Sequence, residues 1–477
     1  MASRGNGVPD ECGDSYVTGR TKQGVEIRCP LRKLSPYRVV FEIYLPPADL
    51  RVSQALDGFK IIVSGLTVYE GRAVIISLIH LGVGVMCEAS LDDTWVDPDF
   101  HVTSIREKGG SAAFNQFVKQ WQKNYKIRPE FKVIVADMQT FFTDMKLWLD
   151  QVELGIRAGN SNAASGDDIE IASQLVQSTT PAITTLFEKY EASLAGLDED
   201  YQSVYQNFGK RQLHPLLLCS PFLHRTYTKP LGYAGDYEMV NMICRNPFEG
   251  ETLYAKVVNY WFLQQAPAEA HRNRITFLVE RIKDAVLQAA REGRMARITT
   301  IGCGPAQEVQ RFIAESDLSD RAHFKLVDFN EETANYTHSL LEGIKRKHGR
   351  RTQIETVRKS VHQILKEAGR GDPSKLEKFD FVYCAGLFDY LSDQTCHKLT
   401  NILYDSVMSG GTFVSTNVDT SNPRRLTMDY LMDWHLIYRN AGNLAALKPD
   451  AITPDEGRVS ADATGANIFY TVNKPRD

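Results

Sequence analysis

Two glycines and one aspartate could carry chemistry in the stretch from residue 297 to residue 330. Gly302 and Gly304 interrupt a run of β-forming residues, and a segment of helical periodicity follows them. A second apolar run then ends at Asp328. Glycines let a backbone approach a ligand closely, and the acid can accept hydrogen bonds from both hydroxyls of a ribose. The order strand, glycine turn, helix, strand and acid therefore predicts a nucleotide-type site.

The glycine turn departs from the fingerprint of a dinucleotide-binding site. Gln307 stands where that fingerprint has its third glycine, and Pro305 directly follows Gly304. Asp328 also lies somewhat beyond the roughly 20 residues that usually separate turn and acid. No cradle for a pyrophosphate is evident, so the dinucleotide class is disfavoured.

Composition sets the broad class of the protein. The chain has 477 residues, of which 43% are hydrophobic and 24% charged, as in soluble globular proteins. Its length predicts roughly two to four domains. The formal net charge of −4 argues against a general nucleic-acid surface, which is usually basic.

Targeting and metal signals are also lacking in the sequence. The first ten residues contain no apolar core, so no signal peptide is predicted. The most apolar run, residues 73–87, is too short to span a bilayer and is typical of sheet core, so no membrane insertion is expected. The eight cysteines lack the spacing of a zinc site, which predicts reduced thiols, no metal and a cytoplasmic location.

The N-terminal part of the chain predicts a small antiparallel barrel. Residues 1–20 are polar and glycine-rich and are predicted to be loose. Residues 21–104 contain candidate strands between turns, and a small antiparallel barrel is the fold expected of them. The candidate strands are residues 38–44, 59–63, 66–69, 72–78 and 84–88, with a turn expected at Glu70 and Gly71.

A helical region is predicted for residues 105–200. Apolar residues recur at helical spacing, and a segment of Gly, Ser, Asn and Ala at residues 158–168 predicts a flexible joint. The stripe could line an acyl groove, but helix packing is the favoured interpretation. The stripe comprises Phe114, Phe117, Trp121, Phe131, Ile134, Met138, Phe141, Met145, Trp148, Leu149 and Val152.

Residues 201–290 predict a cap or lid. Residues 225–237 contain glycines and a proline among tyrosines, which disfavours a helix and predicts a loop of defined shape. A helix is predicted to begin at Ala270. Tyrosine faces there could lie near a positively charged ligand, although a plain connector is equally consistent.

The last 187 residues, 291–477, continue as alternating strands and helices. Strands are predicted at residues 354–357, 379–384, 412–416 and 465–472, and helices at 333–347 and 399–408 with a turn at 409–411. Ser360 and Val361 follow one strand, and Cys384 and Ala385 end another. Ligands bind beyond the carboxyl ends of such strands. An α/β Rossmann-like domain is predicted.

Several motifs in this domain resemble those of class I S-adenosylmethionine (SAM) methyltransferases, in order. They are I-G-C-G-P-A, L-V-D-F-N, F-D-F-V-Y-C-A-G-L-F-D-Y-L and S-G-G-T-F-V. A narrower resemblance is to bacterial 3-hydroxy fatty acid methyl ester synthases, which make extracellular quorum-sensing factors. Three motifs carry it: K-P-L-G-Y-A-G-D-Y-E-M-V at 229–240, H-R-N-R at 271–274 and D-W-H-L-I-Y-R at 433–439.

The resemblance implies SAM as cofactor and assigns residues to it. Gly302, Cys303 and Gly304 would lie at its methionine end, and Asp328 would hold the ribose hydroxyls. Phe329 would flank the adenine. The remaining implied cofactor contacts are Ser360, Val361, Cys384, Ala385 and, from the H-R-N-R motif, Arg274.

The N-terminal segment resembles a degenerate PilZ domain, a barrel that often binds cyclic di-GMP. Arg28 and Arg32 match the arginine pair that holds the dinucleotide phosphates, but only Gly82 survives of the second motif. A structural or docking barrel is therefore favoured over a cyclic di-GMP sensor with a methyltransferase-like output domain.

The predicted reaction is O-methylation of the carboxylate of a small lipophilic acid, such as a 3-hydroxy fatty acid, to give a signalling ester. A carboxylate is already ionised at neutral pH, so catalysis would rest on alignment in a water-poor pocket. The catalytic candidates are Tyr233, Asp236, His435, Tyr438 and Arg439, with Arg439 as partner of the acid.

Two questions stay open at this point. The acceptor could instead be an amine or hydroxyl of another small metabolite, with His435 as the base. The helices before the lid could also form a homodimer, because periodicity does not distinguish an internal face from a shared one.

Overall fold

A computed structural model describes residues 15–22, 24–35, 37–44, 50–80, 84–94, 126–159, 167–369 and 376–476, with isolated positions at 115, 118 and 119. Some predictions fall outside these residues. The predicted positions outside the described residues include Phe114, Phe117, Trp121, Gly82 and most of the expected joint at 158–168.

Six antiparallel strands form a closed barrel in the order β1-β2-β3-β6-β5-β4. They are β1 (Ser15–Thr21), β2 (Glu26–Ser35), β3 (Arg38–Tyr44), β4 (Ala55–Val63), β5 (Leu66–His80) and β6 (Gly84–Leu91). The barrel interior is apolar, with Val17, Phe41, Phe59 and Ile75 fully buried. Closure leaves no unpaired sheet edge.

Two expectations about the barrel were wrong. Residues 15–20 form a strand that pairs with β2 and β4, so they are part of the barrel rather than a loose end. The expected turn at Glu70 and Gly71 is absent, because β5 is continuous and Gly71 pairs with Phe59. Gly71 has no side chain, which leaves room for the Tyr69 hydroxyl to cross the strand.

Long helices follow the barrel. They are α1 (Pro129–Gly159), α2 (Asp167–Leu194) and α3 (Glu199–Leu217), the last of which crosses the predicted boundary at residue 200. Phe131, Met138, Met145 and Leu149 are buried in one core with residues of α2 and α3, as helix packing requires. Trp148 departs from the expected stripe, since half of its surface is exposed.

The predicted lid, residues 201–290, consists of most of α3, four further helices and one shaped loop. The further helices are α4 (Pro221–Thr228), α5 (Tyr237–Cys244), α6 (Leu253–Leu263) and α7 (Ala266–Arg291). The loop is shorter than expected, because α4 continues to Thr228 and Ser220 caps its first turn. Lys229 and Gly232 then adopt positive φ and turn the chain. Helix α7 begins four residues before the expected start at Ala270.

The C-terminal domain contains a seven-stranded sheet in the order β12-β13-β11-β10-β7-β8-β9. Its strands are β7 (Ala296–Ile301), β8 (Ala322–Asp328), β9 (Gln353–Arg358), β10 (Phe379–Cys384), β11 (Val407–Val418), β12 (Gly457–Ala461) and β13 (Asn467–Asn473). The first five in sequence are parallel, and β13 pairs antiparallel with β11 and β12. The predicted Rossmann-like class of this domain is confirmed.

Helices cover both faces of this sheet. They are α8 (Gln307–Glu315), α9 (Glu331–His348), α10 (Val361–Ala368), α11 (Asp393–Asp405), α12 (Arg425–Leu431) and α13 (Ala441–Ala445), with short 3-10 turns at Asp317–Arg321, Phe388–Tyr390 and Pro454–Glu456. The turn expected at 409–411 lies inside β11, and β12 is a strand that the sequence pattern did not predict. Within the described ranges, no helix is long and apolar enough to cross a bilayer.

One buried carboxylate joins the three parts of the molecule. Asp433 is fully buried and accepts hydrogen bonds from Arg72 of β5 (3.0 Å) and from Lys210 (3.1 Å) and Gln206 (2.7 Å) of α3. These cations hold the pKa of Asp433 far below its usual range, although burial alone would raise it. The φ of Asp433 is +48°, so its backbone takes the left-handed conformation, which is uncommon for a residue with a side chain.

The Asp433→Asn variant tests this charge without disturbing the backbone, because Asn also tolerates the left-handed conformation. Loss of the charge leaves Arg72 and Lys210 without their buried partner. We expect the free energy of unfolding, measured in urea, to fall by roughly 3–5 kcal/mol.

An exposed ion pair provides the matched control. Asp93 is 2.8 Å from Arg211 and its side chain is 72% exposed, so Asp93→Asn is expected to cost less than about 1 kcal/mol. Equal stability losses in the two variants would contradict a structural role for the Asp433 charge.

Candidate functional site

A sharp bend after β7 begins the site. Gly302 and Gly304 have φ of +73° and +52°, values that side chains rarely adopt. The amides of Gly302 and Cys303 both donate to the Val327 carbonyl (2.8 and 3.1 Å), which fixes the bend against β8. A Cβ on Gly302 would lie 3.4 Å from Leu387, an ordinary contact distance. Glycine is therefore needed at this bend for its backbone conformation.

The Asp328 carboxylate lies directly against this bend. One oxygen accepts a hydrogen bond from the Gly304 amide (3.1 Å) and the other from the Asn330 amide (2.9 Å). Burial raises the pKa of Asp328, while these amides act in the opposite direction. Each oxygen can still accept a further hydrogen bond. The structure thus brings together the predicted glycines and acid.

A cavity extends from the bend, and its empty space together with the open solvent at its mouth is about 1600 Å³. It lies where the strand order reverses between β7 and β10, the position at which open α/β sheets bind ligands. Part of its lining comes from strand ends, namely residues 302–308, 328–329, 385–387 and 389–390. The rest is largely apolar and comes from the lid and α12, including Phe222, Met239, Ile243, Trp261, Phe262 and Met428.

Aromatic rings surround the side of the cavity next to Asp328. The Phe329 ring lies 5.4 Å from that of Tyr233, measured between centroids. Arg51 places its guanidinium carbon 3.8 Å from the Phe329 centroid and 5.0 Å from that of Tyr233. Both rings and Arg51 line the cavity, so this wall combines residues of the barrel, the lid and the sheet.

Arg274 of α7 provides a positive charge in the cavity. Its guanidinium donates to a ring nitrogen of His271 at 3.0 Å and forms no ion pair with any carboxylate that the structure describes. Burial lowers the pKa of Arg274 despite the nearby acids Asp389 and Glu308. The arginine also packs on Gly386, where a Cβ would come within 2.8 Å of it. Such an arginine can bind an anionic group of a ligand.

Two buried acids face the same region. Glu308 accepts a hydrogen bond from the Tyr383 hydroxyl (2.7 Å), and burial raises its pKa. Asp389 accepts from the Val418 amide (2.7 Å), and burial raises its pKa to about 6. Both acids line the cavity, so they could bind a cationic group or accept a proton.

The segment after α12 contacts the loop after β10 through a polar pair. Trp434 donates from its indole nitrogen to the Tyr390 hydroxyl (2.9 Å). That hydroxyl also packs on Gly235, where a Cβ would lie within 2.6 Å. The glycine of the Y-A-G-D segment is therefore required by close approach to the cavity wall.

Seven of the ten predicted cofactor residues line the cavity: Gly302, Cys303, Gly304, Asp328, Phe329, Ala385 and Arg274. Three others do not. Ser360 caps α10 at the edge of the sheet, and Val361 packs beside it against the core. Cys384 is fully buried in the same core.

Four of the five catalytic candidates lie outside the cavity lining, in contrast to Tyr233. Asp236 caps α5 and pairs with Arg225 (2.9 Å). The Asp236 carboxylate therefore has a structural role. Arg439 is buried, pairs with Asp393 (2.7 Å) and donates to three further acceptors in the core. The prediction that Arg439 binds an acidic substrate was wrong, because its hydrogen bonds are all internal.

His435 and Tyr438 contact residues outside the cavity lining. His435 lies 3.3 Å from Asp429, and the Tyr438 ring lies under Arg425 at 4.5 Å. Neither residue lines the cavity, so the proposed role of His435 as a base has no support from its position. Trp434 and Leu436, the two neighbours of His435 in sequence, line the cavity instead.

The arginine pair of the barrel is engaged internally. Arg28 stacks on Tyr16 at 4.4 Å, and Arg32 pairs with Glu42 (2.6 Å) on the next strand. Binding a phosphate with Arg32 would require breaking that pair.

Sequence reasoning missed Arg51, Glu308, Asp389 and Trp434 as lining residues. No motif near Arg51 marks it as a lining residue, because Arg51 belongs to the barrel and not to the domain that contains the motifs. The other three lie within or beside the quoted motifs, so their place in those motifs was the available signal.

The sheet order and the cavity at its switch point define a domain with the class I methyltransferase fold. No protein family model and no curated protein sequence matches the chain. Several solved structures are similar at low identity. A possible exported protein from Bordetella parapertussis is 15% identical, with TM-score 0.39, over 66% of this chain and 98% of that one.

Two methyltransferase structures are also similar. Magnesium protoporphyrin IX methyltransferase from Synechocystis PCC 6803, solved with bound S-adenosylhomocysteine, is 10% identical over 43% of this chain and 84% of that one, with TM-score 0.31. A putative O-methyltransferase from Nostoc punctiforme PCC 73102 is 12% identical over 54% and 71%, with TM-score 0.30. Similarity at this level does not assign a function to the chain.

The Asp389→Asn variant tests the buried acid. The pKa of Asp389 is about 6 in the folded protein against a usual value of 3.8, so folding favours the protonated form. Above about pH 6 the folded protein holds a buried charge that the variant lacks. The stability of the wild type relative to Asp389→Asn should fall by up to about 3 kcal/mol as pH rises from 4 to 7.

Urea unfolding of both proteins at a series of pH values measures this difference. The Val418 amide keeps an acceptor in the variant, so packing is preserved. A difference in unfolding free energy that does not change between pH 4 and pH 7 would show that Asp389 titrates normally.

Proposed function

We propose that this chain is a SAM-dependent methyltransferase. The observation that carries the proposal is the hydrogen bond between the Gly304 amide and the Asp328 carboxylate inside a large cavity. A glycine bend joined to a buried acid suits a ligand with a ribose next to an amino-acid chain. A simple structural turn would not need an acid with spare acceptor capacity facing a cavity.

The remaining lining residues fit the other groups of SAM. Phe329 offers a ring face near Asp328 for adenine. Arg274 offers the methionine carboxylate a guanidinium that has no carboxylate partner among the described residues. Glu308 offers an acid for the methionine ammonium. Bound SAM would supply a methyl group on a sulfonium, to be taken by in-line displacement.

The apolar branch of the cavity supports a lipophilic acceptor. Aromatic and sulfur-containing side chains from α4, α5, α6 and α12 form it, and these are typical of pockets for apolar ligands. Arg424 also lines the cavity, where it stacks over Trp261 (5.5 Å) and donates to Gln265 (2.8 Å). We infer that the acceptor is a small lipophilic acid, such as a 3-hydroxy fatty acid.

The chain's own contribution to such a reaction is alignment and exclusion of water. A carboxylate acceptor needs no base, because free carboxyl groups titrate near about pH 4. Tyr390 and Trp434 form a hydrogen-bonded pair within the cavity wall. Such walls keep the acceptor oxygen in a dry site, where its nucleophilicity is high.

A second acceptor class is supported by Asp389. Its pKa of about 6 leaves it ionised at neutral pH, and it lines the cavity. It could then accept a proton from a hydroxyl or an amine. Methylation of another small metabolite is therefore the alternative function.

The Asp328→Asn variant tests the cofactor site. The substitution replaces one carboxylate oxygen of Asp328 with an amide nitrogen, and the remaining oxygen can still accept a hydrogen bond from a backbone amide. The fold should therefore persist. We expect the Kd for SAM, measured by isothermal titration, to rise at least roughly tenfold, which equals about 1.4 kcal/mol. Asp284→Asn changes an exposed acid (63% exposed) on α7 and should bind SAM like the wild type.

Failure of the wild-type protein to bind SAM at millimolar concentration would exclude the proposed function. Equal affinities of wild type and Asp328→Asn would remove Asp328 from the site while leaving cofactor binding intact.

The acceptor is tested by mass spectrometry of products formed from methyl-labelled SAM. We expect label in the methyl esters of 3-hydroxy and plain fatty acids, and none in amines or alcohols of matched chain length. Val240→Phe narrows the apolar branch at a half-buried position and should shift the preference to shorter acids. If label is found only in amines or alcohols, the acceptor is not an acid and the alternative function is correct.

A further inference from the structure

Arg51 precedes β4 of the barrel by a few residues and lines the cavity. Arg51 is half-buried, while Val52, Ser53, Gln54 and Ala55 are buried against the rest of the protein. This short segment belongs to the barrel by sequence. Its burial shows that it is an internal part of the molecule rather than a surface loop.

Hydrogen bonds fix the segment to the lid loop and to the segment after α12. The Ala55 amide donates to the Gly232 carbonyl (2.9 Å) in the lid loop, and the Ser53 hydroxyl donates to the Asp433 carbonyl (3.0 Å). Gly232 precedes Tyr233, and Asp433 precedes Trp434, both of which line the cavity. The barrel thus contacts the backbone next to two cavity residues.

The segment also has an internal brace. The Arg51 amide donates to the Gln54 side chain (3.1 Å), and the Ser53 amide donates to the Ile75 carbonyl of β5 (2.7 Å). Ser53 adopts a φ of +67°, which is uncommon for a residue with a side chain. The backbone that presents Arg51 is therefore held in one conformation by the barrel.

The Arg51 guanidinium acts on two residues of the cofactor site. It covers one face of the Phe329 ring at 3.8 Å, which restricts the orientation of that ring. Its charge also favours the ionised form of Asp328, whose pKa burial would otherwise raise further. Within the described residues Arg51 has no carboxylate partner in an ion pair, so its charge is directed at this wall.

We propose that the barrel is an integral part of the cofactor site, and that Arg51 is a positioning residue for the nucleoside half of the cofactor. It acts through Phe329 and Asp328. This inference rests on the proposed SAM-dependent function. It assigns to the barrel a role in cofactor affinity that does not require the barrel to bind a ligand of its own.

Fragments of the cofactor separate this role from a general structural one. S-Adenosylhomocysteine and 5′-methylthioadenosine share the nucleoside half, and the second lacks the amino-acid group. Arg51→Met keeps an apolar stem and removes the charge. We expect it to raise the Kd of both ligands by a similar factor, roughly five- to twentyfold, in isothermal titrations of the full chain.

Two comparison variants sharpen the test. Arg274→Met should weaken S-adenosylhomocysteine but leave 5′-methylthioadenosine unchanged, because its guanidinium is assigned to the amino-acid carboxylate. Arg51→Lys should recover part of the loss through its charge. Arg28→Met removes a matched arginine that stacks on Tyr16 in the same barrel and should bind both ligands normally.

The outcomes are distinct. If the wild type binds neither ligand, the proposed function fails. If the wild type binds both and Arg51→Met binds them equally well or more tightly, the role of Arg51 is overturned while the function stands. A loss confined to S-adenosylhomocysteine would also overturn it. Equal unfolding free energies of Arg51→Met and Arg28→Met would show that the loss does not come from unfolding.

Discussion

The hydrogen bond from the Gly304 amide to the Asp328 carboxylate joins the ends of two neighbouring parallel strands. Strands β7 and β8 pair in register up to Ile301 and Val327, so the residues that follow are brought side by side by the sheet itself. The bend is needed because a straight continuation of β7 would occupy the space of the cavity. A buried carboxylate is costly without donors, and the two amides that bind Asp328 offset that cost.

The rest of the molecule closes the space above these strand ends. The sheet provides the floor, the lid helices provide an apolar wall, and the barrel provides Arg51. The Asp433 cluster keeps the three parts in contact, because its carboxylate binds side chains from the barrel and from α3. The neighbours of Asp433 in sequence, Met432 and Trp434, both line the cavity. Stability of the domain contacts and shape of the cavity therefore depend on the same short segment.

Much of the fold was predictable because local pattern determined it. The three-part organisation and the Rossmann-like domain follow from periodicity and from turn residues, and both are confirmed. Errors arose where tertiary contact overrides local preference. Gly71 looks like a turn but is a strand residue that makes room for the Tyr69 hydroxyl. Residues 15–20 look loose but pair on both sides within the barrel.

The arginines show why the site was predictable only in part. Sequence identifies an arginine but not the number of acceptors that the fold places around it. Arg439 lies in a motif close to the site, yet Asp393 and three core acceptors use its guanidinium. Arg51 lies in no motif, yet it reaches the cavity with a ring face as its contact. An arginine available to a ligand is one whose donors exceed its internal acceptors, and that balance is set by residues distant in sequence.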